Sequence, residues 1–268
     1  MITPAASSLI FKKEVSVATI TFNRPDVRNA MSVEMAQRLA EACHDINQDK
    51  SILVTIITGS GSKSFCSGGD LGEYSDKIQE KGFQNSITPE YRFVQNAARE
   101  VALLECPSIA AVNGHALGLG LSIALACDLR LASNTASFGV PEALRGYMPL
   151  SGLTQWLPRL VGKGKALEML FTADPVDARE ALRIGLINRL VEGQELMGEV
   201  ERVARDIASK APLSLRFLKE AVNRGLDFSL EQGMKLEMDL YALLQTTGDR
   251  EEGIRAFREK RQLKFRGQ

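Results

Sequence analysis

Two glycine-rich segments of the sequence have the composition of backbone anion-binding sites. Residues 116–128 are ALGLGLSIALACD, and residues 65–71 are FCSGGDL. Glycine is unfavourable inside a helix by about 1 kcal/mol, but at a strand-to-helix junction it allows close backbone approach. Free N–H groups at a helix N-terminus favour negative charge. If both segments face one cleft, they form a two-donor site of the oxyanion-hole type.

Three other interpretations of residues 116–128 explain less of the segment. A membrane-spanning helix needs roughly 20 nearly uncharged residues, but the surrounding apolar run, 109–132, is broken by polar residues that include Asp128 and Arg130. The dinucleotide-binding pattern GxGxxG is absent here. A buried helix explains the apolar second half by its periodicity but not the glycines at its start. We therefore predict a donor site followed by a core helix.

The elements that would position these junctions are those of an α/β core. Residues 15–22, VSVATITF, alternate in the manner of a half-buried strand, and residues 52–58, ILVTIIT, have the composition of a buried strand. A helix between them is predicted to begin after Ser32 as its N-cap. A further short strand, SIAAV at 108–112, leads into the first glycine-rich segment. This order of strand, helix and strand predicts the α/β class.

Composition is that of a soluble globular protein. The chain has 268 residues, of which 44% are apolar and 25% charged, enough for one large domain. Because Lys plus Arg equals Asp plus Glu, at 33 each, the charge balance indicates no nucleic-acid or membrane partner. The four cysteines form no CxxC pair and no zinc-binding spacing, so we expect reduced thiols and no metal site. With no signal-peptide pattern at the start, a cytoplasmic location is predicted.

The chain is predicted to have two parts. The core would occupy residues 1–198, and a helical region would follow at 199–268. Four helix-compatible runs support the second part, at 199–210, 213–224, 231–246 and 249–262. Within the core, residues 78–89 are polar with weak periodicity, and we predict a loop or irregular helix over a cleft.

Five segments resemble, in order and spacing, the crotonase, or enoyl-CoA hydratase/isomerase, superfamily. They are NRPDVRNAM at 23–31, ITGSGSKSFCSGGDL at 57–71, AAVNGHALGLGLSIALACDLRLAS at 110–133, ASFGVPEALRGYMPLSGLTQWLPRLVG at 136–162 and GDREEGIRAFREKR at 248–261. The resemblance covers nearly the whole chain. It implies a crotonase-like spiral of ββα units with a C-terminal helical trimerisation region, assembled as a homotrimer or a dimer of trimers.

The resemblance also implies a catalytic site for an acyl-CoA thioester, in which coenzyme A is part of the substrate and no cofactor is needed. The thioester oxygen would accept hydrogen bonds from the N–H groups of Gly69 and Leu119, the latter at a position where many relatives have glycine. The family has up to two catalytic glutamates. Glu142 matches one, but the other position is Ser122. Leu150 stands where some relatives carry an aspartate.

This departure leaves the reaction partly open. A single Glu142 is suited to proton transfer, and we expect an enoyl-CoA hydratase/isomerase in which it is the acid/base. Ser122 could bind water or a substrate hydroxyl, or bond only to its own helix. Two alternatives remain: a lyase or hydrolase of the same superfamily, such as a hydroxycinnamoyl-CoA hydratase-lyase, and a non-catalytic acyl-CoA-binding subunit.

The remaining assignments concern substrate binding. Arg28 matches a basic position near the nucleotide phosphates, while Phe257 and Lys260 match positions on the C-terminal helix that reach the nucleotide, often of a neighbouring subunit. Backbone contacts to coenzyme A are expected from Ala30, Ser67, Gly68, Asp70, Leu71 and Gly72. The acyl pocket is expected from residues 73–95 with Tyr147, Met148 and Trp156.

Two polar residues near the first glycine-rich segment are predicted to be structural. We expect His115 to be a packed turn residue rather than a base. Asp128 should fix the turn that follows the helix, and it is given no catalytic role.

Overall fold

The computed structural model describes residues 7–82 and 91–268 and contains two sheets. The first sheet has the order β1 (Leu9–Glu14), β2 (Val17–Phe22), β3 (Val54–Gly59), β5 (Ser108–Val112), β7 (Leu129–Ser133) and β10 (Arg189–Val191). The second has the order β4 (Ser64–Cys66), β6 (His115–Leu117), β8 (Ser137–Gly139) and β9 (Val176–Asp177). Strands pair in parallel except in the β1–β2 and β8–β9 pairs.

The chain passes repeatedly from the first sheet to the second. β3 leads to β4, β5 to β6, and β7 to β8, with helices between successive pairs. Every residue of β3 and β5 is buried, as expected for parallel strands covered on both faces. This repetition of two strands and a helix confirms the α/β class and the predicted spiral of ββα units.

Helices cover both faces of the first sheet. On one side α1 (Val33–Gln48), α3 (Tyr91–Ala102) and α4 (Leu119–Ala126) pack together, and on the other α8 (Leu196–Ala208) packs against β3, β5 and β7. The remaining helices of the core are α2 (Leu71–Lys81), α5 (Leu153–Val161), α6 (Lys163–Thr172) and α7 (Ala178–Arg183). Ser32 is the N-cap of α1, as predicted, because its Oγ accepts a 3.2 Å hydrogen bond from Met35 N.

The predicted division between residues 198 and 199 falls inside α8. The buried face of this helix, which includes Val200 and Ala204, packs against Val54 and Ile109 of the first sheet. By its packing α8 therefore belongs with the core. The helices beyond it are α9 (Pro212–Gly225), α10 (Leu230–Leu244) and α11 (Gly248–Glu259).

Asp128 joins the core to α9. Its Oδ2 accepts hydrogen bonds from Ser108 N at 2.7 Å and from Lys219 Nζ at 2.8 Å. Lys219 Nζ also donates to the carbonyl oxygen of Cys106 at 3.0 Å. Asp128 thus fixes the turn after α4, as predicted, and it also anchors α9 through an ion pair.

The C-terminal helices expose many apolar side chains. They include Leu218, Val222, Leu226, Leu230, Met234, Met238, Tyr241 and Phe257. Exposed apolar groups of this number on neighbouring helices are typical of a protein interaction surface. They are consistent with the predicted assembly role of this region.

Several smaller predictions can be compared with the structure. All four cysteines are buried and unpaired, as predicted. No helix in the described ranges is long and apolar enough to cross a membrane. Of the segment 78–89, residues 78–81 belong to the end of α2, while residues 83–89 lie outside the described residues.

Candidate active site

The first glycine-rich segment is a strand-to-helix junction. β6 ends at Leu117, Gly118 is the N-cap, and α4 begins at Leu119. Gly118 has φ 51° and ψ −117°, a conformation that favours glycine. A Cβ at this position would also overlap Oε1 of Glu142. Glycine at 118 is therefore required both by the turn and by the approach of a carboxyl group.

Two backbone N–H groups at this site have no acceptor among the residues that the structure describes. Leu119 is the first residue of α4, so its N–H has no carbonyl of a preceding turn to reach. At the second junction, Met31 N donates to Gly68 O at 2.8 Å and Asp70 N donates to Met31 O at 3.0 Å. These bonds bypass the N–H of Gly69. Both predicted donors are thus available to donate a hydrogen bond to a ligand oxygen.

The two junctions are in direct contact. A Cβ built on Gly68 would lie 4.0 Å from Leu119 N and 3.3 Å from Leu117 O. A Cβ on Gly120 would overlap the carbonyl oxygen of Cys66. The second glycine of GLG therefore lets α4 pack against the end of β4, and this packing brings the Gly69 and Leu119 loops together.

Replacing Gly120 with alanine should disrupt this contact. Because the overlapping atoms belong to the backbone of Cys66 as well as its side chain, the two loops must separate, and we expect about 1–3 kcal/mol of lost stability together with a lower kcat. Thermal unfolding and steady-state kinetics measure both effects. Gly164→Ala in α6 is the matched control, since a Cβ there meets nothing within 4 Å. Equal melting temperatures for the two variants would contradict this prediction.

Glu142 is a buried carboxylic acid beside the first junction. It lies in the 3-10 helix Pro141–Arg145 and is only 6% exposed. Its Oε2 has no hydrogen-bond partner among the described residues. Burial raises the pKa of Glu142, because an ionised group loses solvation away from water. A raised pKa next to available donors is typical of a catalytic acid/base.

Ser122 has a different environment. Its side chain is fully buried, and its Oγ lies 3.3 Å from Gly118 O and 3.3 Å from Leu150 O. A hydroxyl has a single hydrogen to donate, and here both acceptors in reach are backbone carbonyls. The hydroxyl thus links α4 to the loop that carries Leu150.

The residues near the predicted acyl pocket differ in exposure. Tyr147, Met148 and Leu150 are about half exposed or more, while Trp156 packs against the core. Tyr74 and Tyr91 lie within the predicted range 73–95, but nothing in the sequence identified them individually. Their rings stack with centroids 5.2 Å apart.

Around the predicted coenzyme A site, several backbone and side-chain groups already form hydrogen bonds within the protein. Arg28 is exposed with φ 57°, and its carbonyl oxygen accepts a hydrogen bond from Ser67 N. The Ala30 carbonyl accepts a hydrogen bond from Arg24 Nη1 at 2.7 Å. Asp70 Oδ2 pairs with the same nitrogen at 2.8 Å. The Asp70 side chain therefore has a structural partner within the segment.

Asp70 also precedes α2 and caps its N-terminus. Its Oδ1 accepts hydrogen bonds from the N–H groups of Gly72 and Glu73. Burial opposes ionisation, but the bonds from Arg24 and from these amides outweigh it, so the pKa of Asp70 is lowered. Leu71 is exposed at the start of the helix. The segment is thus rigidly held, with its outer side open to solvent.

The two residues predicted from the C-terminal helix are at its exposed end. Phe257 on α11 is 85% exposed, and Lys260 caps that helix with φ 52°. Their contact with the nucleotide of a neighbouring subunit stays a prediction from the resemblance.

His115 differs from its prediction. It lies on β6 rather than in a turn, is exposed, and has its Nδ1 2.6 Å from Ser137 Oγ on β8. Cross-strand pairing places it there. Within the described residues, no group of three His, Cys, Asp or Glu side chains could hold a metal ion.

Comparison with known proteins gives four consistent findings. A family model described as enoyl-CoA hydratase/isomerase matches residues 12–268. A crotonyl-CoA hydratase from Syntrophomonas wolfei is 40% identical over 265 residues, which are 97% of this chain and 98% of that protein. A short-chain-enoyl-CoA hydratase from Clostridium acetobutylicum is 39% identical over 257 residues, 96% of this chain and 97% of that one. The crystal structure of an enoyl-CoA hydratase from Bacillus anthracis matches with a TM-score of 0.91 at 33% identity, covering 97% of this chain and 100% of that chain.

Proposed function

The chain belongs to the enoyl-CoA hydratase/isomerase family, and on that premise we propose that it acts on an acyl-CoA thioester through an enolate, with Glu142 as its single acid/base. Hydration or isomerisation of an enoyl-CoA is the proposed reaction. Both move protons and water only, so no redox cofactor is required.

The proposed chemistry follows from where charge develops. In hydration, Glu142 would accept a proton from water as the water oxygen bonds to C3, and the electrons of the double bond move toward the thioester oxygen. The enolate then collapses as the proton is returned to C2. In isomerisation, the same carboxylate would remove a proton from C2 of a 3-enoyl group and return it at C4. Both routes place negative charge on the thioester oxygen.

The N–H groups of Gly69 and Leu119 are the proposed stabilisers of that charge. Both are backbone donors without a described acceptor, and α4 adds the positive end of its dipole at Leu119. Donors that are already oriented need no reorganisation as the charge forms. The observation that carries the proposal is the burial of the Glu142 carboxyl against Gly118, next to the Leu119 amide.

Ser122 is proposed to be a positioning residue outside the chemistry. Its hydroxyl faces the Gly118 and Leu150 carbonyls, so a role in holding water would require it to break a buried contact. We propose that it keeps the Leu150 loop against α4, leaving Glu142 as the only side-chain proton carrier.

The test is an assay of crotonyl-CoA hydration and of 3-hexenoyl-CoA isomerisation by the native protein, with Ser122→Ala as the diagnostic variant. We expect turnover of at least one substrate, and in the variant a change mainly in KM rather than in kcat. Release of free coenzyme A or of a shortened acyl chain would favour a hydrolase or lyase instead. Tight binding without turnover of any thioester would support a non-catalytic subunit.

Assembly into a homotrimer or a dimer of trimers is proposed from the exposed apolar side chains of α9, α10 and α11 together with the family resemblance. The same assembly would bring Phe257 and Lys260 of one subunit toward the nucleotide site of another. Arg28 and the backbone between residues 67 and 72 would complete that site.

Met238→Glu should weaken this assembly. Met238 lies on α10 with 72% of its surface exposed, and a charge there would be desolvated at an apolar interface. Sedimentation of the native protein should give at least three times the 29.3 kDa chain mass, and the variant should dissociate at higher concentration. Lys235→Glu on the same helix is the control. A native protein that sediments as a monomer would contradict the proposal.

A further inference from the structure

Three of the chain's four tyrosines lie together beside the proposed site, although they are far apart in the sequence. Tyr74 is on α2 and Tyr91 begins α3, and their rings stack at 5.2 Å with 29° between their planes. Tyr147 follows the 3-10 helix and interacts electrostatically with both Tyr91 and Tyr74. Three separate elements therefore bring phenol groups to one wall of the site.

Two of these phenols adjoin the proposed catalytic groups. A Cβ built on Gly69 would lie 3.8 Å from the Tyr91 hydroxyl oxygen. Tyr147 adjoins Glu142, since its N–H donates to the Glu142 carbonyl oxygen at 3.4 Å, and, together with burial, the Glu142 carboxyl helps to raise the pKa of its phenol. The Tyr91 hydroxyl thus lies beside Gly69 and Tyr147 beside Glu142, the two groups between which the proposed reaction places the acyl group.

Both phenols stay protonated across the working pH range. Burial, followed by the effects of Tyr74 and Tyr147, raises the pKa of Tyr91 to about 12. Burial and Glu142 also raise the pKa of Tyr147. A neutral phenol has one donor and two acceptor positions. The Tyr147 hydroxyl already shares a hydrogen bond with Arg145. A hydroxyl that bonds to one protein group still has the capacity to bond to a ligand as well.

An acyl group that fills this space displaces water from the phenols. A plain alkyl chain offers no hydrogen bond in return, so burial of the hydroxyl groups opposes its binding. An oxygen atom on the acyl group restores the lost bond. Sites built to hydrogen-bond a substrate hydroxyl discriminate strongly against the analogue that lacks it.

We propose that Tyr91 and Tyr147 make this site selective for acyl groups that carry an oxygen atom beyond the thioester carbonyl, over plain chains of the same size. The inference rests on the proposed function, because it takes this space to be the acyl site of an acyl-CoA enzyme. Tyr74 acts as a positioning residue through its stack on Tyr91.

The test uses binding of saturated acyl-CoA compounds, so that it does not depend on turnover. Two pairs differ only by hydroxyl in place of methyl: 2-hydroxybutyryl-CoA with 2-methylbutyryl-CoA, and 4-hydroxybutyryl-CoA with pentanoyl-CoA. The C3 position is omitted because a hydroxyl there is the product of hydration. In at least one pair, calorimetry should show about fivefold to tenfold tighter binding of the hydroxyl compound to the native protein.

The ratio of the two dissociation constants is also measured in the Tyr91→Phe, Tyr147→Phe double variant. It should fall to near one, because phenylalanine keeps the ring and removes only the hydroxyl. Tyr241→Phe on α10, 61% exposed, is the matched control and should keep the native ratio. Equal binding within both pairs in the native protein, or a preference that survives in the double variant, would overturn the inference alone. Failure of every acyl-CoA to bind would reject the proposed function and the inference together.

Discussion

Leu119→Pro is expected to lower kcat by about 10²–10³-fold, whereas Leu119→Ala should have a much smaller effect. Proline lacks the N–H that we propose donates to the thioester oxygen. Loss of one oxyanion donor has cost this much in other enzymes. Alanine keeps the N–H and loses most of the side chain, so the difference between the two variants reports the donor itself.

The structure indicates that proline at position 119 removes the N–H without disrupting α4. Leu119 is the first residue of α4, where proline is common because the missing N–H has no partner in the helix. The preceding residue, Gly118, has ψ −117°, which is outside the helical region that proline disfavours in its predecessor. The helix should therefore persist while one donor disappears.

Steady-state kinetics on the best enoyl-CoA substrate, with circular dichroism of both variants, provide the measurement. The expected result is a large loss in kcat with unchanged helical content in Leu119→Pro. If the proline and alanine variants have equal kcat, Leu119 N–H is not an oxyanion donor. The proposed geometry at the start of α4 would then be wrong.

Sequence patterns predicted the parts of the fold that depend on local periodicity. The alternation at residues 15–22 and the apolar run at 52–58 correspond to β2 and β3, and Ser32 caps α1. The three-residue strands of the second sheet, such as β4 and β8, have no periodicity of their own. They exist because the spiral pairs them with each other, which only the resemblance could indicate.

The candidate site shows the same division between local and long-range information. The glycines of residues 116–120 predicted a donor junction, because glycine destabilises a helix interior and is therefore expected at a turn or a close backbone approach. Sequence alone did not show that Gly120 packs on Cys66 or that Ser122 faces Leu150 O. The grouping of Tyr74 and Tyr91 with Tyr147 depends on three elements meeting in space. No local pattern encodes such a meeting.

Glu142→Gln is expected to lower activity and to raise stability. Removing a general acid/base costs about 10²–10⁴-fold in rate, and glutamine cannot carry the proton. For the native enzyme, the acidic limb of kcat/KM should lie above the ordinary carboxyl value near 4.5, because burial raises the pKa of Glu142. This limb should be absent from the residual activity of the variant.

The same raised pKa determines how stability changes with pH. Because the folded state binds this proton more tightly than the unfolded state, the native protein loses stability as the pH rises from about 4.5 through the raised value. Glutamine has no ionisable carboxyl. The melting temperature of the variant should therefore rise relative to that of the native protein over this pH range. The difference should level off at higher pH. A variant that keeps native turnover, or one whose relative stability falls with rising pH, would contradict a buried catalytic carboxyl at this position. Together, the two measurements separate the catalytic role of Glu142 from its structural cost.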